Sequence, residues 1–253
     1  MIRVIHADTD FLVLDKPAGI AVHPPMGRAG HGTGVKGKTL VDWLVKRYPE
    51  VKAVGDPSTS SGQVMERPGI VHRLDKDTSG VMLVARNQKA FEALKELFKS
   101  RRVEKTYLAL VVGLPNKKSG VIDAPIGRSI RAPVKRSAGA SARGARQAVT
   151  NYRLLEKLGT YSLLEVKPKT GRMHQIRVHL ASIGCPVAGD QMYGGRKTLV
   201  AGLDRQFLHA SRLEFSYPEG HRLRFESPLP EDLKTVLNTL RKSRKRATQA
   251  PWI

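Results

Sequence analysis

Gly69-Ile70-Val71-His72-Arg73-Leu74-Asp75-Lys76-Asp77-Thr78-Ser79-Gly80 is the densest run of functional side chains in this 253-residue chain. Two apolar residues, Ile70 and Val71, lead into a polar cluster, and a turn at Thr78-Ser79-Gly80 precedes a buried strand predicted over 81–85. A loop held between apolar elements is how a rigid scaffold presents chemistry. Taken alone, His72-Arg73-Leu74-Asp75 fits a surface ion pair equally well, so the rest of the chain must decide.

Working outward, Phe11 to Leu14 reads as a short apolar strand running into the turn Asp15-Lys16-Pro17-Ala18-Gly19. Thr39 is placed to cap a helix carrying Leu40, Trp43 and Leu44 on one face, and Asn87 to cap one striped by Phe91, Leu94 and Phe98. Strands are predicted over 106–112 and 161–166. A helix is predicted over 173–183 from the period of Ile176, Leu180 and Ile183, with Gly184 as its stop and Thr170 as a candidate cap. A last helix carries Leu233, Val236, Leu237 and Leu240. Residues 27–37 hold five glycines and read as a mobile loop, and 56–63 as a polar surface insertion. Strands and helices mix without a βαβ rhythm, so the fold class is α+β.

Charge narrows the function. There are 44 Lys and Arg against 22 Asp and Glu, a net +22, which attracts polyanions and nucleic acid first among them. The basic residues cluster. Residues 127–146 carry Arg128, Arg131, Lys135, Arg136, Arg143 and Arg146 with no acid, and with too few apolar groups for a core, so a flexible RNA-contacting loop is expected. Residues 241–246 hold five basic residues in six and read as a frayed tail, either RNA contact or solvated surface. With Cys185 the only cysteine, no disulfide forms within the chain and a structural zinc site is disfavoured. No apolar run approaches the roughly 20 residues of a membrane span. The first residues enter a strand-like pattern without signal-peptide architecture, so a soluble cytoplasmic protein is expected.

Two further segments bear on chemistry. In Lys105-Thr106-Tyr107-Leu108-Ala109, Tyr107 opens an apolar strand, usually a core position. In Gly171-Arg172-Met173-His174-Gln175-Ile176-Arg177, His174 and Arg177 are three apart and share a helix face, while Ile176 and Leu180 face the core. His174 and His179 are five apart and diverge around the helix, a poor pair for a metal; no metal site is assigned.

Together, in this order, these segments resemble the pseudouridine synthases of the RluA type. The carrying residues are His72 to Asp75 with Thr78-Ser79-Gly80, Asp15 to Gly19, Gly171 to Arg177, Gly189-Asp190 with Tyr193-Gly194, Leu208-His209-Ala210 and Ser227-Pro228-Leu229-Pro230. The resemblance spans about residues 10–232. It implies the pseudouridine synthase fold, a central mostly antiparallel mixed sheet flanked by helices and loops around an RNA-binding cleft. It implies catalytic roles for Asp75 as the essential carboxylate, Tyr107 against the flipped uracil, and Arg177 paired with Asp75. Arg73 would enter the RNA stack where the uridine left it, Lys16 would lie near the pocket as an RNA contact, and Arg172 would join the basic residues on RNA.

The reaction these roles imply needs no cofactor. The N1–C1′ bond breaks, the uracil turns, and C5 rejoins C1′ without redox change or phosphoryl transfer. Asp75 either attacks C1′ or takes the C2′ proton, and sequence leaves both routes open. A neighbouring guanidinium lowers a carboxylate pKa and keeps it ionised. The expectation is one catalytic domain over 1–240, without the small N-terminal RNA-binding domain of many relatives, and a basic tail over 241–253. The expected protein is a monomer with no obligate protein partner, acting on large-subunit ribosomal RNA. The alternatives are a tRNA substrate, a non-catalytic RNA-binding or ribosome-assembly protein, and, from charge alone, a DNA-binding regulator, for which no recognition-helix motif is present.

Overall fold

A computed structural model describes residues 1–24, 39–56, 67–130, 132, 134–218 and 220–249. The 27–37 loop and most of the 56–63 insertion lie outside these residues, as does Arg131. In chain order the elements are β1 (Arg3–Ala7), β2 (Phe11–Lys16), α1 (Leu40–Arg47), β3 (Ser79–Ala85), α2 (Gln88–Lys99), β4 (Glu104–Val112), β5 (Ser119–Asp123), β6 (Ile126–Arg128), β7 (Arg136–Ala138), β8 (Arg143–Arg146), β9 (Val149–Leu158), β10 (Tyr161–Pro168), α3 (Gln175–Ser182), α4 (Gln191–Gly194), β11 (Leu208–Ser216), β12 (Arg222–Glu226) and α5 (Glu231–Gln249). This is the α+β class expected. The chain divides into two compact units, Met1–Val103 with Arg212–Ser227, and Glu104–Ser211 with Pro228–Ile253.

In the first unit β1, β2 and β3 pair antiparallel in sequence order, and the 212–216 part of β11 pairs with β12. Alternate side chains of a strand share a face. Phe11 and Val13 of β2 and Val81 and Leu83 of β3 therefore meet Phe91, Leu94 and Leu97 of α2 in one core cluster. Burying each of Phe91 and Leu94 stabilises by about 1.5–3 kcal/mol. Both predicted caps form: Asn87 accepts from the Ala90 amide at 2.9 Å, and Thr39 forms a capping box with Asp42.

In the second unit β4, β10, β9 and β5 pair antiparallel in that order. Leu233, Val236 and Leu237 of α5 cover Leu110, Leu163 and Phe207. The last helix does not fray at 241. It runs to Gln249, because the apolar stripe fixes its first turns and Arg241 then bonds Glu156 through Nε and Nη2 at 2.9 and 2.8 Å. The expected boundary at 240 thus falls inside a helix.

The described residues of 127–146 include three short strands, in contrast to the flexible loop the composition suggests. β6 pairs with β7 and β8 to make a three-stranded sheet. Main-chain hydrogen bonds need no large side chains, and small residues allow close approach: a Cβ on Gly127 would lie 2.7 Å from the Arg143 carbonyl oxygen. Ile126 supplies the apolar anchor, packed with Ala148 and Val178.

One buried histidine gives this unit a pH dependence. His179 faces the Ala124 carbonyl through Nε2 at 2.9 Å and the Thr150 hydroxyl through Nδ1 at 2.8 Å. The carbonyl can only accept, so Nε2 carries the hydrogen and Nδ1 accepts. Burial lowers the His179 pKa from 6.5, against opposing effects of the Ala124 carbonyl and Asp123. As pH falls the unfolded chain takes the proton first, so this contribution is present above about pH 6.5 and is lost as pH drops through the folded value. Urea unfolding between about pH 7.5 and 5.5 should show stability falling with pH. His179→Gln should be less stable at pH 7.5 and lack this share of the slope; an unaltered slope would refute the assignment.

Candidate active site

The 69–80 loop of the first unit is pinned at several points. The Gly69 amide donates to the Val54 carbonyl at 2.8 Å, and Ile70 makes a bridge to Val84. His72 is scaffold: Nε2 accepts from the Leu83 amide at 2.8 Å, and the ring stacks on Phe98 with centroids 4.5 Å apart. Leu74 is buried, and the Thr78 amide donates to the Asp75 carbonyl at 3.2 Å, closing the turn. The half-buried Asp75 carboxylate is thereby carried on fixed backbone.

Lys16 is corrected by the structure. Expected to face RNA, it is 0% exposed, and its Nζ donates to the carbonyls of Pro17, Ile20 and Lys76 at 2.9 Å each. It holds the Asp15–Gly19 turn against the residue after Asp75. Lys16→Met would leave three carbonyls short of a donor and should cost about 3 kcal/mol in chemical denaturation.

Arg73 does present its side chain to solvent. Its Nη1 donates to Nε2 of His23 at 2.9 Å, and His23 Nδ1 donates to the Pro24 carbonyl at 2.8 Å. Desolvation lowers the guanidinium pKa, the Asp75 charge opposes this, and Arg67 adds to the lowering. His23 is buried, and nothing in its sequence context singles it out. Only the fold, which brings two residues fifty positions apart together, reveals it.

In the second unit Tyr107 lies on β4 opposite Val166 of β10 and is buried, as a strand tyrosine usually is. Arg177 on α3 is buried with Asp190: Nε reaches Oδ2 at 2.7 Å and Nη2 reaches Oδ1 at 2.9 Å, a bidentate pair. Asp190 is legible in the sequence only as part of a motif, without a role. Gly189 sets it in place, with φ +77° and no room for a Cβ, which would lie 2.0 Å from the Arg205 carbonyl oxygen. His174 and Arg177 do share a side. Nδ1 of His174 is 2.8 Å from the Tyr193 hydroxyl, and the Arg177 guanidinium centre is 5.1 Å from the Tyr193 ring centroid. Thr170 does not cap α3. The helix begins after His174, and the Thr170 hydroxyl bonds Oε1 of Gln175 at 2.7 Å while accepting from the Val149 amide.

Arg128, Arg143 and Arg146 are exposed on the three-stranded sheet, while Lys135, Arg136 and Arg172 are half-buried. Arg172 donates from Nε to the Gln147 carbonyl at 3.0 Å, which fixes it beside this sheet. Among the described residues, no group of three or more His, Cys, Asp or Glu could hold a metal ion, and no helix is long and apolar enough to cross a membrane.

Comparison with known proteins shows the family of the chain. Residues 10–182 match the RNA pseudouridylate synthase family, and the chain belongs to it. It is 47% identical over 227 residues to an uncharacterised RNA pseudouridine synthase of Chloroflexus aurantiacus, covering 89% of this chain and 65% of that one. It is 43% identical over 260 residues to the ribosomal large subunit pseudouridine synthase D of Xanthomonas campestris, covering 98% and 72%. Among solved structures, human RNA Pseudouridylate Synthase Domain Containing 4 superposes with a TM-score of 0.70 at 28% identity, covering 94% of this chain and 92% of that one.

The bond from His23 to Arg73 can be tested by substitution. His23→Gln keeps an acceptor for Arg73 and should retain near wild-type turnover of a target RNA. His23→Leu removes it and should lower kcat/KM by roughly three- to ten-fold. In an Arg73→Ala background the Leu substitution should cost nothing more, and an additive loss there would sink the linkage.

Proposed function

We propose that this RNA pseudouridine synthase isomerises a uridine in large-subunit ribosomal RNA, with Asp75 as the carboxylate on which bond cleavage depends. The observation that carries the reading is the construction of the 72–78 turn. His72 is bonded to the Leu83 amide, Lys16 to the Lys76 carbonyl, and Thr78 to the Asp75 carbonyl, so the backbone is fixed on both sides of Asp75. A reacting group carried on fixed backbone loses little freedom in reaching the transition state. The ribosomal target is supported by relatives that carry it in their names. A cytoplasmic monomer is part of the same proposal.

The chemistry is an isomerisation. The N1–C1′ bond breaks, the uracil turns, C5 bonds to C1′, the C5 proton leaves and N1 ends protonated. Asp75 acts at C1′ or at the C2′ proton; either way atoms and electrons balance without a cofactor. Tyr107 and Arg177 are the residues the resemblance assigns to the uracil and to the charge of the carboxylate. The target base must leave its stack, at a cost of a few kcal/mol. Arg73, with a planar cation held at one end by His23, suits the vacated space.

The exposed arginines of the three-stranded sheet supply phosphate contacts. Replacing Arg128, Arg143 and Arg146 together by Ala should weaken RNA binding and flatten its dependence on salt. The log–log slope should fall by about 0.7–0.9 for each arginine that neutralised a phosphate. The deciding test is base-resolution pseudouridine mapping of total RNA from a deletion strain complemented with wild type or Asp75→Asn. A large-subunit site restored by wild type alone supports the reading. A site confined to tRNA overturns the target, and restoration by Asp75→Asn overturns the role of Asp75.

A further inference from the structure

Tyr193 touches more of the second unit's functional apparatus than a packing role would require. It lies in the short helix α4, whose first turn is capped by Asp190, the carboxylate that grips Arg177. Its ring lies beside the Arg177 guanidinium, 5.1 Å from the centroid. Its hydroxyl accepts from the Arg136 amide of β7 at 3.0 Å and shares a hydrogen bond with Nδ1 of His174 at 2.8 Å. A phenol that accepts one bond still has its own hydrogen to give, so both contacts can be satisfied together.

The partners are informative. His174 has φ +56°, in the left-handed region that residues with side chains seldom occupy. Such a conformation persists where surroundings fix it, and the bond to Tyr193 is one such constraint, at the residue from which α3 and Arg177 start. On the other side, β7 belongs to the basic sheet, and Arg136 also reaches the Met173 sulfur through Nη2 at 3.1 Å. Tyr193 further packs against the Ile126, Ala148 and Val178 cluster that seats this sheet. One side chain therefore meets the basic strands, the turn before α3, and Arg177.

We propose that Tyr193 is a positioning residue that ties the basic three-stranded sheet to Arg177, so that the grip on RNA and the aim of that guanidinium are set by one side chain. This coupling rests on the function proposed above for Arg177 and for the basic strands. Hydroxyl and ring divide the work. The hydroxyl fixes β7 and His174, and a sheet that is already ordered spares the RNA the cost of ordering it. The ring meets Arg177 and bears on the chemical step.

Tyr193→Phe and Tyr193→Leu test it by steady-state turnover on an RNA fragment carrying the mapped uridine. The Phe variant keeps the ring and loses the hydroxyl bonds, so KM should rise roughly three- to ten-fold with kcat held. The Leu variant also strips the ring from Arg177, and kcat should fall roughly ten-fold as well. A merely structural tyrosine would lose kcat, KM and thermal stability together in both variants, and that result overturns the proposal. So does a Phe variant with wild-type KM. If wild type itself forms no pseudouridine in any RNA, the reading of the reaction falls and takes the coupling with it; an active wild type with an indifferent Tyr193→Phe sinks the coupling alone.

Discussion

The buried pair between Arg177 and Asp190 is the constraint around which the second unit's functional residues are arranged. Both side chains are almost wholly withdrawn from water, at 8% and 1% exposure. Removing two charges from water is expensive, and bidentate geometry only offsets that cost, so such a pair is a poor source of net stability. Its consequence is directional. A guanidinium held by two parallel bonds has one orientation, whereas a lysine in its place would have many. Asp190 also accepts from the amides of Met192 and Tyr193, so the same carboxylate that orients Arg177 starts the helix that carries Tyr193. Losing either partner would strand a buried charge and loosen both elements at once.

The first unit solves the corresponding problem with a cation and carbonyls. Lys16 lies inside the structure, and its three donors meet three main-chain oxygens from two separate turns. An ammonium has three donors and no preferred plane, which suits it to gathering carbonyls, while a guanidinium suits a planar carboxylate. The two basic residues are therefore used for opposite purposes: Lys16 fixes backbone, and Arg177 is itself fixed. Both are committed to interior partners. The arginines of β6 and β8, by contrast, are exposed, which suits them to the phosphate contacts proposed above.

Much of the fold was legible in the sequence because local patterns and tertiary packing agreed. The Asn87 and Thr39 caps, the apolar stripe of α2 and the strands at 81–85 and 161–166 all follow from period and turn chemistry that the packing then uses. The misreadings share a cause. Residues 127–146 look too poor in apolar side chains to order, yet a small sheet is held by main-chain bonds that composition does not display. Thr170 looks like a helix cap because its spacing from α3 is plausible, but its hydroxyl is taken by Gln175. Lys16 looks like an RNA contact because a charged residue in a turn usually points outward, and nothing nearby in sequence marks the carbonyl of Lys76, sixty residues on, as its partner.

For the site, residue types were easier to read than relationships. Asp75, Arg73 and Arg177 stand in recognisable runs, but His23, Asp190 and Tyr193, which hold the latter two, carry no local signal of that work. The reason is physical. A group that reacts must have particular chemistry, which restricts its identity, whereas a group that positions another needs only a bond of the right length from the right direction. That direction is set by the path of the backbone through residues far away in the chain. The positive φ values of Gly189 and His174 mark two such places: glycine adopts it without a steric cost, whereas His174 accepts an unfavourable local conformation at the start of α3. Strain of this kind is stable only when the surrounding bonds over-determine it, and at His174 one of those bonds runs to Tyr193, whose ring lies beside the Arg177 guanidinium.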